Sequence, residues 1–269
     1  MYPWLVRIER EATGPLYPCS GSLIATNAIL TAAHCVCPVT KFGNRMLRLD
    51  EIRLIAGDLR RVGAVEKYEV ELHPLTIVVH PNFRRISCKN NTAFYHYNDL
   101  AIIVLRERVQ LNSHVDLIEL MNETDRASGQ RYYRIFDHCM IAGWGANELR
   151  QPPSERLMHA RVDLFSSAAC AVWYDMPDCF IQEKQICAAG RHWRRDACKG
   201  DSGSPLMCVL KSYYNDDGVS NRNIGRYQSV KLVGIVAWGE GCAVNHKPGV
   251  YSDVYPYLGW IRGVLRRHQ

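Results

Sequence analysis

Short apolar runs alternate with turn residues along most of the chain. LIAG (54–57), LTIVVH (75–80), LAIIVL (100–105), CMIAGWG (139–145) and LVGIVAWG (232–239) are rich in Val, Ile and aromatic residues and too short for helices. They predict antiparallel strands, arranged as a sandwich or as barrels. Residues 20–40, SGSLIATNAILTAAHCVCPVT, belong to the longest stretch without a charged side chain, which spans 12–40. Their several Ser and Thr, with Asn27 and His34, predict a buried strand running into a short helix and no membrane span. Only the C-terminal YPYLGWIRGVLRRHQ has helical periodicity, with Leu258, Ile261 and Leu265 on one face and Arg262, Arg266 and Arg267 elsewhere.

Composition narrows the class. The 269 residues hold one large all-β domain or two modest ones, with no internal repeat and no segment biased enough to be a linker. The net charge of +6 comes partly from two clusters, Arg191, Arg194 and Arg195, and Arg262, Arg266 and Arg267. Such faces attract polyanions or are simply solvated; no zinc finger, RNA-recognition motif or basic-aromatic array points to a nucleic-acid partner. Eleven cysteines predict an oxidising compartment. Two glycosylation sequons, at Asn90 and Asn122, agree with secretion. The first residues, Met1 to Arg7, have neither the basic start nor the apolar core of a signal peptide, so a leading segment is expected beyond this sequence.

The candidate chemistry is nucleophilic. Hydrolysis by a hydroxyl needs a neutral base to take its proton and an acid to hold that base in the right tautomer. His34 ends an apolar run beside a cysteine (LTAAHC), Asp99 precedes a buried run (YNDLAIIVL), and Ser202 sits in GDSGSP between glycines that permit a tight turn. These motifs, in the order His, Asp, Ser, resemble those of the chymotrypsin/trypsin family of serine proteases, and the likeness runs from Pro3-Trp4 to the terminal helix.

The resemblance implies an all-β fold of two packed six-stranded antiparallel barrels with a short C-terminal helix. Residues 1–269 would form one peptidase domain, with barrels over 1–126 and 127–269. It further implies that Ser202 attacks the scissile carbonyl, His34 shuttles the proton and Asp99 orients His34. The N–H groups of Gly200 and Ser202 would form the oxyanion hole. Asp196, six residues before the nucleophile, would sit at the base of the primary pocket and pair with Arg or Lys of a protein or peptide substrate. Lys199 and Trp238 would border that pocket, and Gly239 and Gly249 would keep its walls open. Ala197 stands where trypsin has a serine that helps hold a lysine ammonium, which predicts a preference for Arg, whose guanidinium pairs bidentately with a carboxylate. The bland alternative for Asp196 is a surface ion pair with Arg194 or Arg195.

By the same resemblance Cys19 pairs with Cys35, Cys139 with Cys208, Cys170 with Cys187 and Cys198 with Cys242. Cys37 and Cys88 fall in loops expected to flank the cleft, so a bridge between them is a further expectation, leaving Cys179 odd. His34, Cys35 and Cys37 lack a second ligand pair at zinc spacing, so neither a metal nor a cofactor is expected. Asp58, Glu66 and Glu69 are read as ordinary surface acids in preference to a calcium loop.

Departures from the family pattern also carry expectations. Ala237 replaces a serine whose hydroxyl reaches the triad acid, and Ser204 replaces the second glycine of GDSGGP. Long loops after His34 and between Cys208 and Val230 favour a selective processing protease, with protein inhibitors among its partners. No Ile-Val-Gly-Gly occurs in the chain. In the family, the new ammonium of that segment pairs with the acid before the nucleophile, here Asp201. Without that partner Asp201 is expected to turn away and leave the oxyanion hole unformed. The competing function is a protease-shaped binding or regulatory protein with little turnover.

Overall fold

The computed structural model describes residues 2–10, 17–40, 43–63, 65–88, 93–122, 136–175, 184–210 and 230–269. Its N-terminal half contains β1 (Leu5–Arg10), β2 (Cys19–Ala25), β3 (Ala28–Thr31), β4 (Val39–Thr40), β5 (Gly43–Asn44), β6 (Ile52–Ala56), β7 (Val70–Leu72), β8 (Pro74–Val79), β9 (Arg84–Cys88), β10 (Ala93–Tyr97) and β11 (Ala101–Leu105). One curled antiparallel sheet runs β7-β6-β1-β2-β3-β11-β8, while β4-β5 and β9-β10 are separate hairpins. In the C-terminal half β12 (Glu119–Leu120), β13 (Phe136–Gly143), β14 (Met158–Phe165), β15 (Gln185–Ala189), β16 (Pro205–Leu210), β17 (Val230–Trp238) and β18 (Gly249–Asp253) follow. Strands β17-β16-β13-β14-β15-β18 close on themselves through a β17–β18 pairing, and β12 joins β17 in parallel. The all-β, two-barrel architecture expected from the resemblance is the one observed.

Four of the five apolar runs form buried strand segments that supply side chains to a barrel interior; LTIVVH forms most of the edge strand β8, which is only half-buried, with Leu75 exposed. Ile8, Leu23, Ile29, Leu54, Ile102 and Ile103 are fully buried in the first half; Ile141, Val162, Ile186, Leu206 and Val233 line a second core. Each such side chain contributes about 1.5–3 kcal/mol relative to exposure. The uncharged stretch 20–40 forms β2 and β3, since Thr26–Asn27 turns the chain between them, then the one-turn helix α1 (Ala33–Val36) and the short β4.

A helix absent from the periodicity reading lies at α2 (Ser167–Tyr174). Its signals are local: the Ser166 hydroxyl accepts from the Ala169 N–H at 3.2 Å, and Asp175 closes the helix in a left-handed conformation with φ 50°. The C-terminal helix α3 (Leu258–Arg267) forms as expected and buries Leu258, Ile261 and Val264 against the first half's core. Asn27 Nδ2 donates to the His268 carbonyl at 2.7 Å, tying the chain's end to the β2–β3 turn.

All four expected disulfides form: Cys19–Cys35, Cys139–Cys208, Cys170–Cys187 and Cys198–Cys242. Cys37 is free and buried, so the expected Cys37–Cys88 bridge is not made. The Cys37 backbone is drawn inward, its N–H donating to the Ala33 carbonyl at the end of α1. Cys179, Asn90 and most of the 210–230 loop lie outside the described residues; Asn122 is partly exposed. Asp58 is not a surface acid. Its side chain is fully buried and accepts from Arg7 Nη2 at 2.5 Å and Nε at 2.9 Å, while Glu66 and Glu69 cap neighbouring backbone N–H groups. The buried Arg7 requires a carboxylate partner, and Asp58 is the acid that the chain turn after β6 delivers. Among the described residues no helix is long and apolar enough to cross a membrane.

Candidate active site

His34 is carried by α1 immediately after β3, and the Cys19–Cys35 bridge fixes that helix to β2. Its flanking residues Ala33, Cys35 and Val36 are buried, so the imidazole is the part left facing the cleft. Asp99 follows Asn98, whose φ of 50° makes a sharp turn into β11. The Asn98 side chain holds that turn. It donates to the Asn82 carbonyl at 2.9 Å and accepts from Tyr257 Oη at 2.9 Å and Lys184 Nζ at 3.3 Å.

These two elements bring His34 and Asp99 together. His34 Nδ1 lies 2.7 Å from Asp99 Oδ2, and the His34 backbone N–H donates to Oδ1 at 2.8 Å. Burial alone would raise the Asp99 carboxyl, but the His34 ring and backbone hydrogen bonds hold it below its ordinary value. Asp99 therefore stays ionised in a site its desolvation disfavours. Ala237 is buried and supplies no hydroxyl here; Ser252 Oγ reaches only the Asp99 backbone carbonyl, at 3.4 Å.

A residue outside the sequence expectation completes this cluster. The His96 ring stacks on His34 with centroids 5.0 Å apart and planes 13° from parallel, and its Nδ1 is 3.8 Å from Asp99 Oδ2. Burial pushes the His96 ring down to about 4, so it is neutral at ordinary pH. Its position three residues before Asp99 is the signal that could have marked it.

Ser202 sits in a turn braced between the two halves. Its carbonyl accepts from the Ser20 N–H of β2 at 2.8 Å, and the next residue, Gly203, donates to Val236 of β17 at 2.9 Å. Gly203 has φ 81°, and a Cβ there would lie 2.1 Å from the Ser20 carbonyl oxygen, so only glycine fits. Cys35 Sγ lies 4.0 Å from His34 Nε2 and 3.5 Å from the Ser202 carbonyl oxygen, which places the serine turn and the imidazole around one bridge. No hydrogen bond joins Ser202 Oγ to His34; contacts of this kind commonly tighten only once substrate is bound. Gly200, with φ 103°, approaches so closely that its Cβ would sit 2.9 Å from Gly145 Cα.

Asp201 does not turn away. Its half-buried carboxylate accepts from the Gly145 N–H at 2.8 Å and the Cys198 N–H at 2.9 Å. These two peptide dipoles hold the carboxylate inward without a cation. Among the described residues it has no cationic partner, and burial raises it to about 6. Ser204, beside it, keeps a buried hydroxyl with no hydrogen-bond partner.

Asp196 lies on the wall of the same cavity, of about 420 Å³, which Gly143, Gly145, Asp201 and Val236 also line. Asp196 Oδ1 accepts from the Ala197 N–H at 2.8 Å and the Gly249 N–H at 3.2 Å. Burial raises it to about 7 against those hydrogen bonds. Among the described residues it makes no ion pair with Arg194 or Arg195, which removes the surface-pair alternative. Gly249 presses on it: a Cβ there would meet Asp196 Oδ1 at 2.6 Å and the Tyr251 hydroxyl at 3.2 Å. That hydroxyl is buried without a partner, a polar group that no sequence motif marks. Gly239 faces Gly249, whose Cα a Cβ there would meet at 3.8 Å, an ordinary van der Waals contact. Trp238 packs against Tyr95 and Tyr174, with centroids 4.1 Å and 4.9 Å apart. Lys199 contributes its carbonyl to the Ala146 N–H and holds its ammonium over Tyr17.

The Trypsin family model matches residues 1–261. The chain belongs to the trypsin family. It is similar to bovine coagulation factor XI, with 28% identity over 97% of this chain and 35% of that protein. It is also similar to phenoloxidase-activating factor 3 of Holotrichia diomphalia, with 30% identity over 98% of this chain and 69% of that protein. The chain thus spans about a third of the factor XI sequence that it matches. Trypsin-family membership accounts for the two barrels, the disulfides and a site built where the barrels meet.

Proposed function

We propose that this trypsin-family chain is a secreted serine endopeptidase that cleaves protein substrates after Arg in preference to Lys. Ser202 attacks the scissile carbonyl, His34 takes its proton and returns it to the leaving amine, and Asp99 keeps the imidazole oriented. The N–H groups of Gly200 and Ser202 receive the oxyanion, and losing one such donor typically costs roughly 100- to 1,000-fold in rate. Residues 1–269 act as one peptidase domain. Eleven cysteines and four formed disulfides support an extracellular setting.

The observation that carries the reading is the doubly hydrogen-bonded His34–Asp99 pair, facing the same disulfide as the serine turn. Specificity rests on Asp196, which is half-buried, free of any ion pair among the described residues and overlooked by the unpartnered Tyr251 hydroxyl. A carboxylate of this kind gains most from a ligand that brings both charge and hydrogen-bond donors. Asp201 takes the ammonium of a processed amino terminus, which would lower its carboxyl from its raised value and fix the turn that carries Ser202.

The test is turnover of matched arginyl and lysyl peptide amides by the processed protein, with Ser202→Ala as control. Arginyl substrates should be favoured, and Ser202→Ala should abolish turnover. Equal turnover of the two substrates removes the Arg preference; unchanged turnover in Ser202→Ala removes the enzyme and leaves a protease-shaped binding protein.

A further inference from the structure

A second cavity, of about 380 Å³, lies on the outside of the C-terminal barrel and is lined by Arg161, Asp163, Arg191, Arg194 and Arg195. We propose that it is a binding site for the sulfate groups of a sulfated polysaccharide; it shares Arg194 and Arg195 with the wall of the cavity that holds Asp196 and Asp201, and its argument does not depend on the reading given above.

The arginines come from two elements. Arg161 and Asp163 project from the exposed face of β14, on either side of the buried Val162. The other three come from the loop between β15 and Asp196. That loop is closed at its base by the Gly190 N–H donating to the Arg195 carbonyl at 2.6 Å and by the Trp193 N–H donating to the Gly190 carbonyl at 3.0 Å. A Cβ on Gly190 would meet Arg195 Cβ at 2.6 Å, so the closure needs glycine. At the tip His192 and Trp193 both have φ 59°, a left-handed conformation that non-glycine residues seldom adopt and that accumulates at functional sites.

The charge is uncompensated. None of the four guanidinium groups makes a hydrogen bond or ion pair with another described residue, and Asp163 is the single acid in the wall. Four cations around one concavity repel one another, and a bound oxyanion relieves that repulsion while using the planar donors of arginine. The sulfated-glycan reading is favoured over nucleic acid because the cavity wall has no aromatic ring to stack a base. Trp193, in the same loop, is already packed against Phe165, Trp173 and His246, with centroids 5.2 Å from each.

The experiment titrates a fully sulfated oligosaccharide and its desulfated counterpart against the whole protein, with single-stranded DNA and inorganic sulfate as further arms. Two variants carry equal charge loss: Arg161→Ala/Arg191→Ala/Arg194→Ala in the cavity, and Arg262→Ala/Arg266→Ala/Arg267→Ala on α3. Thermal melts confirm that each is folded, and a third variant with lysine at the cavity positions keeps charge but not the planar fork. The expected result is sulfation-dependent binding that falls roughly tenfold or more per cavity arginine removed, the order of one charge-assisted hydrogen bond, with little change in the α3 variant. The lysine variant should bind with intermediate affinity. Equal losses in the two alanine variants would overturn the site in favour of diffuse charge. Binding of inorganic sulfate alone, or DNA bound more tightly through the same arginines, would overturn the glycan assignment.

Discussion

Asp99 receives two hydrogen bonds from one residue: His34 approaches Oδ2 through its ring at 2.7 Å and Oδ1 through its backbone N–H at 2.8 Å. The carboxylate thereby fixes both the position of the imidazole and its tautomer. Asp99→Asn keeps the shape but offers one oxygen where two are used. Measured kcat on an arginyl amide should fall by roughly four orders of magnitude, the loss known for this exchange in a trypsin-type triad, with KM little changed. A loss below about tenfold would show that Asp99 does not orient the base.

The neutral His96 stacked on His34 should leave a mark on stability. Its folded value of about 4 lies below the ordinary 6.5, so the unfolded chain binds a proton that the folded chain excludes. Stability from this group is therefore complete above pH 6.5 and is lost as pH falls toward 4, at about 1.4 kcal/mol for each tenfold difference in proton affinity between the folded and unfolded chain. Denaturant melts of wild type and His96→Phe should diverge across that window, with the variant less sensitive to acid. Parallel curves would contradict the burial of His96.

Asp201 has the opposite sign. Burial raises its folded carboxyl from 3.8 to about 6, so the folded state holds the proton more tightly and stability falls as pH rises from about 4 through 6. The decline attributable to it is on the order of 3 kcal/mol. Asp201→Asn should flatten that portion of the stability profile and also abolish turnover. Adding a peptide ammonium that seats on Asp201 should flatten it in the wild type without abolishing turnover. A variant with an unchanged profile would show that Asp201 is not a desolvated, unpaired acid.

Two glycines near Asp196 should differ sharply. Gly249→Ala drives a Cβ to 2.6 Å from Asp196 Oδ1, whereas Gly239→Ala meets nothing closer than 3.8 Å. Gly249→Ala should raise KM for arginyl substrates by more than about tenfold by displacing the carboxylate. Gly239→Ala should leave the Asp196 geometry intact and narrow only the approach of a long basic side chain. Equal effects would argue that Asp196 does not face the Gly249 wall.

Much of this site was legible because its signals are local. The apolar runs mark the strands, since a barrel interior selects Val, Ile and Leu wherever the backbone must be buried. The glycines around Ser202 mark a turn that, in the structure, leaves no room for Cβ at Gly203. What escaped were relationships made by long-range packing. Helix α2 is eight residues long and is held by its Ser166 cap, which periodicity does not register. His96 and Asn98 belong to no motif of their own and gain their roles only when the chain brings His34, Tyr257 and Lys184 to them. The inward Asp201 depends on Gly145, 56 positions earlier, presenting its N–H.

Whether Ser202 is an activated nucleophile is tested most directly by stoichiometric labelling with an organophosphonate that reacts only with such a serine, followed by peptide mapping of the processed protein. One label per chain is expected, located on Ser202, lost in His34→Ala and blocked by an arginyl competitor. Labelling elsewhere, or none in a protein whose Asp201 carries its ammonium partner, would refute the assignment of Ser202, His34 and Asp99 as a working triad.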